Sequence, residues 1–147
     1  MLLLRTGAVA LTALAALARS SAAAAEATGE ARVARAFIAA LNSADRSKAV
    51  NYLAQNVQFA IADAPPARYH GRARYDFVSS AFGRNCAFRP GSAVVVTRAG
   101  SKIVRVPVVL RADRAHPCKG GQQGVRTLYT MTVTRTLKIA TLRITET

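Results

Sequence analysis

Few side chains in this 147-residue sequence could do covalent or acid–base chemistry, and their spacing narrows the choice. Cys86 and Cys118 are the only cysteines, each flanked by turn residues (Arg84-Asn85 before the first; His116-Pro117 and Lys119-Gly120-Gly121 around the second). In an oxidising compartment such a pair reads as a disulfide. Closing a loop of this length is worth roughly 3.5–4 kcal/mol in the chain-entropy model. With His116 the two thiols make only a partial zinc site, and His70 is the one other histidine, so no metal is expected. Asp63 follows Val57, Phe59 and Ile61 in a period-two register and directly precedes Ala64-Pro65-Pro66. There it can organise the turn with its carboxylate. His70, before Gly71, reads as a helix-entry residue, and Tyr69 and Tyr75 as packing or rim residues. There is no Ser/His/Asp order. Gly120-Gly121 leads into Gln122-Gln123 rather than a helix, so it makes no phosphate cradle.

Composition sets the frame for these residues. At 51% hydrophobic, 6% aromatic and 19% charged, the chain is neither a disordered tail nor a collagen-like repeat. Residues 1–27, MLLLRTGAVALTALAALARSSAAAAEA, have the three parts of a secretory signal: Arg5, the apolar stretch Gly7–Ala18, and small-x-small options at Ala23-Ala24-Ala25 and Ala25-Glu26-Ala27. The apolar stretch is shorter than the roughly 20 residues a membrane span needs. The expectation is a signal over 1–27 and one domain over 28–147, exported to the periplasm or medium, with no membrane span in the mature chain. The formal charge is +14, and 17 of the 21 basic residues are arginines scattered along the chain without a run. That distribution fits a solvated basic surface and argues against nucleic acid as the partner.

The elements that must position the candidate residues can be placed by period. Thr28 to Asn42 reads as a helix burying Val33, Ala34, Phe37, Ile38 and Leu41. Asp45 caps a second short helix through Leu53. Val57 to Asp63 reads as a strand ended by Pro65-Pro66. Gly71 to Phe82 reads as a third helix burying Ala73, Phe77, Val78, Ala81 and Phe82, with Gly83 as its C-cap. Strands follow over Ala93–Arg98, Lys102–Arg111, Val125–Thr136 and Lys138–Thr145, with Pro107 marking a bulge or an edge. Residues 112–124 form a polar loop. The order predicts an α+β fold: three helices on the concave face of a curved antiparallel sheet, enclosing a cone-shaped pocket.

Val33-Ala34-Arg35-Ala36-Phe37-Ile38-Ala39-Ala40-Leu41-Asn42-Ser43-Ala44-Asp45, then Leu53-Ala54-Gln55-Asn56-Val57-Gln58-Phe59, then Gly71-Arg72 and the closing strands, resemble the nuclear transport factor 2-like (SnoaL-like) superfamily. That superfamily includes ketosteroid isomerase and polyketide cyclases and has a cystatin-like cone. The resemblance implies that Asp63 matches the isomerase's proton-abstracting aspartate, buried in the pocket with a raised pKa. The isomerase's helix-one tyrosine falls on Phe37, which donates no hydrogen bond. Its second acid falls near Tyr129, whose phenol can donate. Phe37, Leu41, Phe59, Ile61, Tyr75, Phe82 and Met131 are the expected pocket lining.

These readings favour an exported, non-catalytic domain that holds a small, mainly apolar or carbonyl-containing ligand without a cofactor. An isomerase, cyclase or dehydratase with Asp63 as base is the alternative. A basic, dimeric interaction module is the third, pairing through an outer sheet face carrying Thr130, Thr132 and Thr134. Intact-mass measurement of the secreted chain should find a start near Glu26 or Thr28 and a mass two hydrogens below the reduced form. Free thiols on unreduced exported protein would refute the Cys86–Cys118 pairing.

Overall fold

A computed structural model describes residues 28–82, 85–118 and 120–147. The expected signal over 1–27 and the Gly83 cap lie outside the described residues. Helix α1 (Gly29–Leu41) begins where the Thr28 hydroxyl accepts from the Ala31 amide at 3.2 Å. It buries Ala31, Ala34, Phe37, Ile38 and Leu41; Val33 is only partly covered. Asn42 ends the helix and also fastens it. Its amide donates to the Phe88 carbonyl at 2.8 Å and accepts from the Phe88 amide at 2.7 Å, as a neighbouring strand would. Asp45 does cap the next element, accepting from Ser47, but that element is a 3-10 helix over Arg46–Tyr52. It buries only Ala49 and Val50, too little for a stable α-helical stripe.

The remaining elements are β1 (Leu53–Ile61), β2 (Ala67–His70), helix α2 (Ala73–Ala81), β3 (Ala87–Pro90), β4 (Val94–Arg98), β5 (Ser101–Arg111), β6 (Arg126–Val133) and β7 (Ile139–Glu146). They build one curved, open, seven-stranded sheet in the order β2-β1-β7-β6-β5-β3, with β4 also on β5. The α+β class is as expected, with three differences. The described residues hold two α-helices and a 3-10 helix, and α2 follows two strands. The sheet is mixed, because β1 runs parallel to β7. Two short strands join it: after Pro65-Pro66 the chain turns back, so that Asn56–Phe59 pairs with Ala67–His70, and Ala87–Pro90 pairs with Val108–Arg111. Each is four residues long, too short to show a period of its own.

Pro107 lies within β5, opposite Leu128 of β6. Its carbonyl accepts from the Gly91 amide at 2.7 Å, on the side where β3 ends and β4 has not begun. In a strand a residue's N–H and C=O point the same way, so the missing N–H faces that gap and no ladder bond is lost. A Cβ on Gly91 would stand 2.8 Å from Pro107 Cγ, so the close approach requires glycine. Thr134 does not continue the outward row of Thr130 and Thr132. β6 ends at Val133, and the Thr134 hydroxyl accepts from the Lys138 amide at 3.1 Å in the turn.

Helix α2 departs most from its expected face. Val78 is buried, but so is Arg74, while Ala73 is exposed. The cause is a slip in the parallel pairing. Leu53 pairs with Ile139, yet the next pair is Gln58 with Thr141, so five residues of β1 advance against two of β7. Arg74 Nη1 donates to the carbonyls of Leu53 (3.4 Å) and Ala54 (3.2 Å) inside that slip, and Nε donates to Gly71 (3.0 Å). An unpaired buried carbonyl is costly, so a charged donor on the helix outweighs the apolar stripe.

The Cys86–Cys118 disulfide joins the start of β3 to the loop between β5 and β6. Both thiols are thereby used. Within that loop Asp113 Oδ1 accepts from the Ala115 and His116 amides and His116 Nδ1, and Oδ2 accepts from Arg89 Nη2 at 3.0 Å. Desolvation opposes ionisation, but the hydrogen bonds outweigh it and hold the Asp113 carboxyl below its usual value of 3.8. The folded state therefore binds this proton less readily than the unfolded chain. The stabilisation is present above the usual carboxylate value and is lost as pH falls through the lowered one. Asp113→Asn should flatten the decline of Tm below about pH 4; an unchanged acid limb would show that Asp113 contributes nothing there.

Candidate functional site

Where β1, β6 and β7 reach the open end of the cone, their inward side chains enclose a cavity of about 130 Å³. Register assembles it. Ile61 stands beside Ile144, Ile144 beside Tyr129, Glu146 beside Thr127, and Phe88 beside Leu110. Ala81 and Phe82 cover it from the end of α2, and Gln122 and Val125 from the loop before β6. Period-two alternation along β6 turns Thr127 and Tyr129 inward with Met131 and Val133.

The cone is filled below this mouth. Phe37 meets Phe82 edge-on at 6.2 Å, and Phe82 meets Phe88 at 5.8 Å. Of the expected lining, Ile61 and Phe82 border the cavity, as does Tyr129, the residue at the position of the isomerase's second acid. Phe37, Leu41 and Met131 are fully buried beneath it, as core. Phe59 stacks on Phe77 at 4.3 Å and lies edge-on to Tyr69. Tyr75 is 39% exposed and borders a different cleft.

Asp63 is also elsewhere. It is exposed in the turn after β1, so the burial that would make it a base is absent. Ala62 adopts a left-handed φ of 50°, which ends the alternation of Val57, Phe59 and Ile61 one residue before the aspartate. The carboxylate that does border the cavity is Glu146. Its signal was the alternation Leu142, Ile144, Glu146 in the last strand.

Tyr129 is the polar group deepest in the site, 3% exposed. Burial pushes its phenol well above the usual tyrosine value, so it stays protonated and acts as a donor. Its hydroxyl bonds to no described residue, and no fully buried side-chain nitrogen or oxygen among them lacks a partner. The hydroxyl therefore opens on the cavity. Among the described residues no three His, Cys, Asp or Glu side chains come together as a metal site.

No protein-family model and no curated protein matches the sequence. Solved structures do match in shape. An NTF2-like protein with a cystatin-like fold from Novosphingobium aromaticivorans is 17% identical, with a TM-score of 0.55 over 95% of this chain and 92% of its own. A putative isomerase of the SnoaL-like family from Agrobacterium tumefaciens is 12% identical, with a TM-score of 0.60 over 81% and 97%. The Orange Carotenoid Protein of Anabaena, solved binding canthaxanthin, is 16% identical, with a TM-score of 0.60 over 74% of this chain. The chain spans only about a third of that protein, and of OCP1 from Fremyella diplosiphon. The chain thus has the nuclear transport factor 2-like, SnoaL-like fold, a cystatin-like α+β cone.

Cavity and core residues should respond differently to truncation. Tyr129→Phe removes no internal hydrogen bond and should change unfolding stability by less than about 1 kcal/mol. Met131→Ala, one strand pitch deeper, should cost about 2–5 kcal/mol in denaturant unfolding. Equal losses would place Tyr129 in the core instead.

Proposed function

We propose that this chain is an exported binding domain that holds a small, mainly apolar molecule in the cavity and catalyses no reaction on it. The observation that carries the reading is the protonated Tyr129 hydroxyl, without an internal partner, opening into an otherwise largely apolar lining. A donor so placed selects a ligand with one carbonyl or other acceptor at its inner end. Size limits the ligand further. About 130 Å³ is below the roughly 300 Å³ at which drug-sized pockets begin, and close to the ~150 Å³ cavity that admits benzene. The canthaxanthin held by the Anabaena protein supports an apolar ligand class, while this cavity suits a single ring.

Catalysis of the isomerase kind needs a base beside the donor. Asp63 is exposed outside the cavity, and Glu146 stands at the exposed mouth rather than inside. Export is supported by the Cys86–Cys118 disulfide, since such bonds persist in oxidising compartments. Among the described residues no helix is long and apolar enough to cross a membrane. Pairing of two copies through the outer sheet face around Thr130 and Thr132 belongs to the same reading.

Cyclohexanone is a suitable probe. Titrated against 15N-labelled protein, it should produce saturable shifts at the amides of Leu110, Thr127 and Ile144, with an affinity several-fold weaker in Tyr129→Phe, since one hydrogen bond is worth about 1 kcal/mol. In D2O its α-hydrogens should exchange at the uncatalysed rate. Accelerated exchange abolished by Asp63→Asn or Glu146→Gln would overturn the non-catalytic reading, and absence of saturable shifts would overturn binding.

A further inference from the structure

The opposite end of β1 carries a second cleft, of about 440 Å³, bordered by Asn51, Ala54, Gln55, Arg74, Tyr75 and Lys138. It shares no residue with the cavity at Tyr129. We propose that this cleft binds the oxyanion of a small soluble molecule, a phosphate or carboxylate group held between Arg74 and Lys138.

The first ground is Arg74 itself. It is 7% exposed, the sole buried charged side chain among the described residues. Every acceptor it meets is a backbone carbonyl, those of Gly71, Leu53 and Ala54. The ion pairs among the described residues involve Asp113 alone, with Arg89 and His116. A buried guanidinium normally faces a carboxylate, because carbonyl dipoles only partly offset its desolvation. Here no carboxylate borders the cleft.

The second ground is the direction of the spare donors. Nε and Nη1 are occupied, while Nη2 bonds to no described residue and is not among buried atoms lacking partners. Since Arg74 borders the cleft, Nη2 opens into it. Across the cleft the Lys138 ammonium donates to the Asn51 carbonyl, which fixes its place at the rim and leaves two donors over. The Tyr75 ring lies 5.9 Å from the guanidinium carbon and forms an apolar wall beside it. The spare Nη2 of Arg74, the Lys138 ammonium and the side-chain amides of Asn51 and Gln55 supply donors around the cleft, the complement of an oxyanion. The volume lies in the range of ordinary small-molecule sites.

The test is an NMR titration of the full chain with inorganic phosphate, and separately with acetate, each at constant ionic strength set with chloride. The expected result is a saturable shift confined to the amides of Asn51, Gln55 and Tyr75 in at least one titration. The stronger of the two anions then identifies the group bound. Lys138→Glu, an exposed change, should keep the unfolding midpoint and weaken that binding about tenfold or more. Lys138→Gln should weaken it less. The proposal is overturned if the shifts spread over the exposed arginines without saturating, or if both Lys138 variants bind as the parent does. Tyr129→Phe should leave this binding unchanged, which keeps the two sites experimentally separate.

Discussion

The parallel pairing of β1 with β7 joins the first strand of the sheet to the last, and both clefts follow from it. At one end of β1 the register is regular, so Ile61 stands beside Ile144 and the inward residues of β6 and β7 meet them around a cavity. At the other end the register slips, and the freed carbonyls of Leu53 and Ala54 draw Arg74 into the interior. Parallel neighbours need a long crossover, and nearly the whole sheet is laid down between these two strands. The seam cannot form until the chain is almost complete, so it ties the last strand to the first.

Aromatic packing then decides how much of the cone stays open. Phe37, Phe82 and Phe88 form an edge-to-face series from α1 to β3, and Phe59, Tyr69 and Phe77 form a second cluster under α2. Edge-to-face pairs add about 0.5–1.5 kcal/mol beyond the area they bury, so these rings favour closure over cavity. What remains is a shallow chamber at the mouth with one phenol facing it.

The strong positive charge does not build a single face. Arg68, Arg89, Arg98, Arg111, Arg114, Arg126 and Arg135 are exposed on many different strands and loops, where their charges are solvated. Across three adjacent strands, however, Arg105, Thr130 and Arg143 align in register. Two like charges flank the outer face at that level, so any second copy docking there must separate or screen them. Arg74 differs from all of these in being buried, with its hydrogen bonds going to backbone carbonyls.

The amino-acid sequence by itself determined the α+β class, the amphipathic first helix, the four long strands of the second half and the pairing of Cys86 with Cys118. Each of these rests on a local period or on a choice between two residues. The same local reasoning carried Asp63 inward by extending a strand alternation one step too far, since a left-handed Ala62 is a property of the folded turn. Tertiary structure alone decided the rest. The slip between β1 and β7 is a relation between residues far apart in sequence, and it makes Arg74, rather than Ala73, the buried residue of α2. Likewise the separation of Ile61, Phe82 and Tyr129 from Phe37, Leu41 and Met131, lining from core, depends on how deep each stands in the cone. All six are apolar or aromatic at inward positions, and only packing distinguishes a wall from a filling.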